Sequence, residues 1–524
     1  MLRYIAMVAF ISALLPPCRV AAQNVYPDPA LNRPLRIEIP ATSDKETYRI
    51  IPCSAAGFLL FYKSTEAAGE NKVRWYFVLY DKFFQQSWIK SVPLNAGVDY
   101  TDVFHGRDTL ALFFQSPEPD RSIPPDFQVL RVILGKGAFI LNNGLLPLQA
   151  SMAVFSVVKQ TCFTGLNINN DQAQLMILDL PTGKQNFITV GGGTQTSFVA
   201  IDVDTSDMTV SAVVRKQLTK RFWDNYFVRM DRNGTVIGET LITTLSPERQ
   251  LAESRIYSIS ASEKLVAGSY VLSSSVTDQQ HQKGIARATG YFAARFSGLA
   301  QSDVKYTNFL DLKSADDFLS ERDIIALRKK AMKKNRIATE YSTDLNLLVH
   351  DIIHRDDQFI LLGESYYLQY HTESFTDFDF YGRPYTNSYS VFDGFRYTSA
   401  IVAAFDAGGN LLWDNSMEIR NLISQSTDQK VSMFFKGEEA ILAYLSEGKI
   451  GYKIIREGST VEKTDYADLE LSLPEDRLVG ETKSRMVHWY DNYFICSGFQ
   501  EIKNLSVSGN ATKMVFFCNK VQFD

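Results

Sequence analysis

Two histidines four apart, His350 and His354 in the run HDIIH, are the first residues whose spacing could hold a metal. A zinc pair at i and i+4 needs a helix to bring both imidazoles to one side. Here the flanking residues are strand-like, and in a strand those positions share a face but stand about 13 Å apart. The pair is therefore read as structural. His105, His281, His371 and His488 are isolated, and neither a Ser-His-Asp order nor a nucleophile elbow occurs. Gly191-Gly192-Gly193 follows a strand-like run but precedes neither a helix nor Lys-Ser/Thr, which makes it a turn and not a phosphate loop. Asp356-Asp357 and Asp377-Phe378-Asp379 offer oxygens without the full spacing of a calcium loop. The reading is of no catalytic residue, no metal and no cofactor. Asn233, Asn504 and Asn510 head N-x-Ser/Thr triplets, a common chance pattern. Cys53, Cys162, Cys496 and Cys518 lie far apart, mostly in apolar runs and without C-x-x-C spacing, and are expected as buried free thiols.

Binding chemistry is easier to place than catalysis. Tyr370 to Tyr397 (YHTESFTDFDFYGRPYTNSYSVFDGFRY) is dense in aromatic residues yet polar throughout, with Gly382, Pro384 and Gly394 as turn residues. It is expected as a long aromatic-rich loop, at about 370–397. Such rings suit protein interfaces and stack on sugars. A second segment, at about 314–338, is expected as a helical insertion. Ser314 can cap it, Asp316, Asp317, Glu321 and Asp323 come early, and Arg328 to Arg336 is basic, an order that suits the helix dipole. Tyr381, Tyr385, Phe392, Lys329 and Lys333 are the candidate binding residues.

The elements that must carry these segments are short β-branched and aromatic runs separated by polar turns. One pattern recurs: apolar strand, small or acidic turn, second strand, variable loop, third strand, D-x-x-G-like turn, fourth strand. Its clearest copy spans Leu347 to Glu418, with the turn Asp406-Ala407-Gly408-Gly409 followed by Leu411-Leu412-Trp413. First-hairpin turns fall near residues 55, 106, 160, 206, 262, 356, 437 and 491. That is roughly fifty residues per unit, the range of propeller blades. Eight units are counted, with seven as the alternative. A single four-stranded unit cannot bury both its faces, so the units must pack radially.

On Asp406 to Trp413 the chain resembles the secreted bacterial β-propeller repeat proteins, whose turns read D-x-x-G-N before two apolar residues and Trp. The resemblance is architectural and implies an all-β propeller of four-stranded blades. The last copy supplies three strands, at Met486–Trp489, Tyr493–Gly498 and Lys513–Asn519. Pro34 to Pro40, which alternates apolar and charged residues, is expected to complete that blade as its outer strand. The ends would then be joined and the exposed edges removed.

Arg3, the apolar run Tyr4 to Leu15 and the small residues Val20-Ala21-Ala22 read as a signal peptide over 1–22, cleaved before Gln23. Pro17 argues against a lipidated Cys18. Residues 23–524 are then one propeller domain, and a periplasmic or secreted location follows. Removing 1–22 takes away two arginines and no acid, so the formal charge moves from −5 to −7. Such a chain is weakly repelled by phosphate backbones, which disfavours nucleic acid. No later stretch is long and apolar enough to cross a membrane.

The leading expectation is a non-enzymatic binding or scaffolding protein of the bacterial cell envelope, including an accessory of an outer-membrane or secretion complex. Its partner would be an envelope protein, such as an outer-membrane protein, or a glycan. The alternative is a glycan-active propeller enzyme, a hydrolase or lyase, which needs carboxylates or a His converging on the central funnel.

Overall fold

The computed structural model describes residues 35–524 apart from 118–121, 170, 193–194, 220–221, 277–285, 303, 320–324, 326–345, 505–511 and 524. The signal-peptide segment, most of the expected helix, and Lys329 and Lys333 therefore lie outside the described residues.

Among the described residues the chain forms eight antiparallel sheets, six of four strands and two with short extra strands. Each sheet is one repeat unit. Blade one, for example, runs Arg49–Pro52, Phe58–Ala67, Lys72–Tyr80 and Gln86–Asn95. Blade two runs Asp99–His105, Thr109–Gln115, Asp126–Ile133 and Ala138–Leu145. The count of eight holds, and the seven-bladed alternative falls.

Period-two alternation explains why the sheets stand side by side. In the second strand of blade one, Leu59 and Phe61 face blade two, against Leu112 and Phe114. Phe58 and Leu60 face the other way, against Ile495 and Phe516 of blade eight. The same division repeats around the molecule. Eight apolar clusters each fill the seam between successive blades, and one of them joins blade eight to blade one. A closed ring is the only arrangement with that adjacency, so the fold is an eight-bladed β-propeller.

The ring is closed as expected. Arg36–Pro40 pairs antiparallel with Thr512–Gln522 and forms the outer strand of blade eight. Arg36 anchors it, its buried guanidinium bonding Glu38, Asn519 and Gln500. Trp489 adds a bond across the seam, donating to the Gly57 carbonyl at 2.7 Å. Gly57 lies at φ 113, and a side chain there would meet the Tyr80 carbonyl.

The D-x-x-G turns have a common cause. Asp406 Oδ1 accepts the Gly408 and Asn410 amides, and Asp231 Oδ1 accepts those of Asn233 and Thr235. Each turn then closes on a glycine at positive φ, Gly409 or Gly234.

The aromatic segment is not the irregular loop that the sequence suggested. It is a β-ribbon in which Gln358–Phe378 and Pro384–Phe405 pair continuously out to the Phe378–Pro384 pair. The reason is a turn of the same kind. Asp379 Oδ1 accepts the Tyr381 and Arg383 amides, and Gly382 sits at φ 74. The expected helical insertion is described only as the single turn Ala315–Phe318, which packs beside the outer strand of blade six, with Asp414 accepting the Lys313 and Ser314 amides. Among the described residues no helix is long and apolar enough to cross a membrane.

Candidate functional site

The innermost strand of each blade faces the axis, and several of these strands are broken. The pairing slips at Thr101 in blade two, at Ala252-Glu253 in blade five and at Lys483-Ser484 in blade eight. In blade six the strand is interrupted between Val349 and Ile353. Such bulges break the alternation and re-aim side chains. Here they turn polar residues inward. Asp102 of blade two feels the charges of Asp351 on blade six and Arg485 on blade eight. Groups on those three blades meet only at the axis.

Where the inner strands of blades one and two begin, the channel opens into a cavity of about 600 Å³. Arg49, Tyr100, Lys430, Lys483 and Arg485 line it, together with the crossing segment Ile423 to Ser426. That crossing also holds the base of the aromatic ribbon. Ser424 pairs with Phe395, and Gln425 Nε2 donates to the Asp393 carbonyl at 2.6 Å. The ribbon thus rises from the rim of the cavity.

The electrostatics of the channel are uneven. Burial raises the Asp102 carboxyl above the ordinary carboxyl range, and the facing Asp351 adds to that; a bond from the Val103 amide and the charge of Arg485 work against it. Asp102 is exposed on its channel side and closely surrounded by protein on the others. Burial likewise raises Tyr100, which stays a phenol, and lowers His105 further along the same strand. Asp351 pairs with Arg255 at 3.3 Å. At the cavity, Asp428 meets Lys430 at 3.0 Å and Arg485 at 3.3 Å. Burial opposes the charge of Asp428, but the two cations outweigh it and hold the carboxyl below its usual range.

His350 and His354 do not converge. His350 Nε2 contacts Glu364 Oε1 at 2.6 Å, while His354 packs on Phe359 and Tyr257. Glu364 is fully buried and also accepts the Lys430 and Val431 amides, so it ties blade six to blade seven. Asp379 is occupied by its turn, and Asp377 accepts from the Tyr385 hydroxyl at 3.2 Å.

The candidate binding residues on the ribbon are exposed but not gathered. Tyr381, 77% exposed, sits in the turn at the tip. Tyr385 pairs with Asp377 and Phe392 with Tyr370, which places these two on opposite faces. The Tyr385 face also carries His371, Glu373 and Tyr389. There His371 bonds Asp393 and contacts Glu373 at 3.2 Å, and Tyr389 donates to Glu373.

Arg49, Tyr100, Asp102, Asp351 and Arg485 were missed as a site. One signal was available. Asp102 is a charged residue inside the opening strand of its repeat.

The class that the fold defines is an eight-bladed propeller with a charged, solvent-open channel. No family model matches the chain, and no curated protein matches it. Among solved structures it is similar to the polysaccharide lyase Uly1, at 10% identity over 93% of this chain and 99% of that one, with a TM-score of 0.40. It is also similar to a post-proline cleaving enzyme from Rickettsia typhi, at 10% identity over 89% and 59% of the two chains, TM-score 0.36. A neuraminidase-like protein of a flat-faced bat isolate from Peru matches at 8% identity over 93% and 94%, TM-score 0.28. At such identities the likeness concerns the fold. These structures are named as enzymes or as enzyme-like. The expectation of a non-enzymatic scaffold is corrected accordingly.

Proposed function

We propose that this protein is an exported, periplasmic or secreted, glycan-cleaving propeller enzyme with its reaction centre in the channel at Asp102. The observation that carries this reading is a carboxyl, Asp102, raised above its ordinary range by its protein surroundings, with a second carboxyl, Asp351, adding to that from the opposite blade. Two carboxyls whose surroundings differ are the minimum that glycoside hydrolysis requires. Asp102 would protonate the leaving glycosidic oxygen, and Asp351 would act from the other side of the sugar. Tyr100 keeps its proton, so it donates hydrogen bonds and does not serve as a base. The ribbon at the rim would carry the polymer beyond the cavity, with Tyr381 at the tip, Tyr385 on one face and Phe392 on the other as stacking platforms; Lys329 and Lys333 lie outside the described residues.

Reducing-end release from a glycan panel tests this. With a substrate found, Asp102→Asn should lower kcat about 10²–10⁴-fold. Because a general acid must be protonated, activity should fall as pH rises through the raised Asp102 value. Unchanged turnover by Asp102→Asn, or no turnover of any glycan, refutes the assignment.

A further inference from the structure

Among the described residues, one arginine at the channel mouth has no carboxylate paired with it. Arg49 opens the inner strand of blade one and lines the cavity beside Arg485 of blade eight. Its one hydrogen bond among the described residues is a 3.3 Å contact to the Tyr48 carbonyl, and it has no carboxylate within ion-pair distance there. The nearby acids are already engaged. Asp428 serves Lys430 and Arg485, Asp99 pairs with Lys63 at 3.0 Å, and Glu481 accepts from Ser484 and Gln500. Arg49, Lys430 and Arg485 thus gather around one shared carboxylate, Asp428, in a cavity wall that also carries Lys483 and the carboxylates Asp44, Glu447 and Glu481. The protein surroundings, and after them the like charge of Arg485, lower the Arg49 value, against the pull of Tyr100, Asp428 and Asp99. Guanidinium is the side chain whose planar donors match a carboxylate or sulfate in a bidentate way.

We infer that Arg49 and Arg485 form an anion subsite, so that the glycan bound in this cavity carries acidic groups, carboxylate or sulfate, and is not a neutral polymer. The inference rests on the proposed glycan-cleaving activity, with Arg49 as the specificity-determining residue and Tyr100 beside it as a phenolic donor. Asp428, itself held by Lys430, holds Arg485 in place.

The test is calorimetric binding by full-length Asp102→Asn protein, which retains the subsite but lacks the proposed acid. The probes are an oligogalacturonate, a sulfated dextran fragment and a cello-oligosaccharide. At least one acidic probe should bind, weaken as salt is raised, and lose roughly tenfold or more in affinity with Arg49→Met, a fold-change worth one charge-assisted contact. The carboxylated and sulfated arms show which anion the site takes. Arg49→Lys, which keeps the charge, and circular dichroism of each variant separate lost recognition from lost fold. Equal binding of the neutral probe, no binding of any probe, or undiminished affinity in a folded Arg49→Met variant overturns the inference. Binding of an acidic probe that wild type never cleaves upholds the subsite and sinks the hydrolase reading.

Discussion

Replacing Arg36 by alanine removes the anchor of the strand that closes the ring. The guanidinium is about 1% exposed and makes bonds of 2.8 Å to Glu38, 2.7 Å to Asn519 and 2.7 Å to Gln500. It also lies over the Phe517 ring at 4.9 Å. Glu38 keeps Lys513 and Ser472, each at 2.7 Å. The amide oxygens of Asn519 and Gln500, in residues fully buried, are stranded. Each stranded acceptor costs about 1–3 kcal/mol, so the loss is about 4 kcal/mol. A chain of about 490 residues has an unfolding entropy near 1 kcal/mol/K at about 2.1 cal/mol/K per residue. The expected fall in melting temperature is therefore about 4 °C. Differential scanning calorimetry reads it, with limited proteolysis at residues 35–40 as a local probe. Arg36→Lys should recover only part of the loss, because one ammonium cannot span three acceptors. Deleting residues 23–40 should cost more than the point variant. A melting point within about one degree of wild type, with the strand still protected, would refute the reasoning.

Glu364→Leu should destabilise the blade six–seven seam by about 3–5 kcal/mol, because it leaves the buried Lys430 and Val431 amides and His350 unpaired. Glu364→Gln, which keeps one oxygen, should cost less, and denaturant midpoints would show the difference. His371 is raised by Asp393 and then by Glu373. Its charge therefore supports the ribbon fully below the ordinary histidine value of about 6.5, and that support is lost as pH rises through the raised value. NMR titration should place His371 above the ordinary range, and Asp393→Asn should bring it back down.

How much of this was legible depends on whether a residue's role shows in local chemistry. Turn positions were readable, since Asp406 and Gly409, or Asp356 and Asp357 at positive φ, do their work within a few residues of sequence. The closing strand was readable because Arg36 to Pro40 alternates cleanly and had no blade of its own. The ribbon was misjudged as a loop. Its alternation, as in Tyr370, Thr372, Ser374 and Thr376, is polar on both faces, and the Asp379–Gly382 turn was hidden among aromatics. The channel as a gathered site was hidden for a different reason. Arg49, Asp102, Asp351 and Arg485 come from blades one, two, six and eight, and the bulges beside Asp102 and Arg485 and the strand break at Asp351 have no sequence marker of their own.

The pairing of Arg36 with Asn519 also sets the order in which the molecule can be made. These residues are 483 positions apart, and bringing the ends of such a loop together costs about 5.5 kcal/mol by the logarithmic scaling of chain closure. Compaction of the intervening blades removes most of that separation, so the seam between blades eight and one is favoured to zip last. Until it does, the third strand of blade eight presents an unpaired edge, and the cluster of Tyr48, Phe58 and Phe516 has only one wall. The slow, aggregation-sensitive species on this folding route is therefore an open arc of nearly finished blades, and the five residues Arg36–Pro40 are the latch that ends its lifetime.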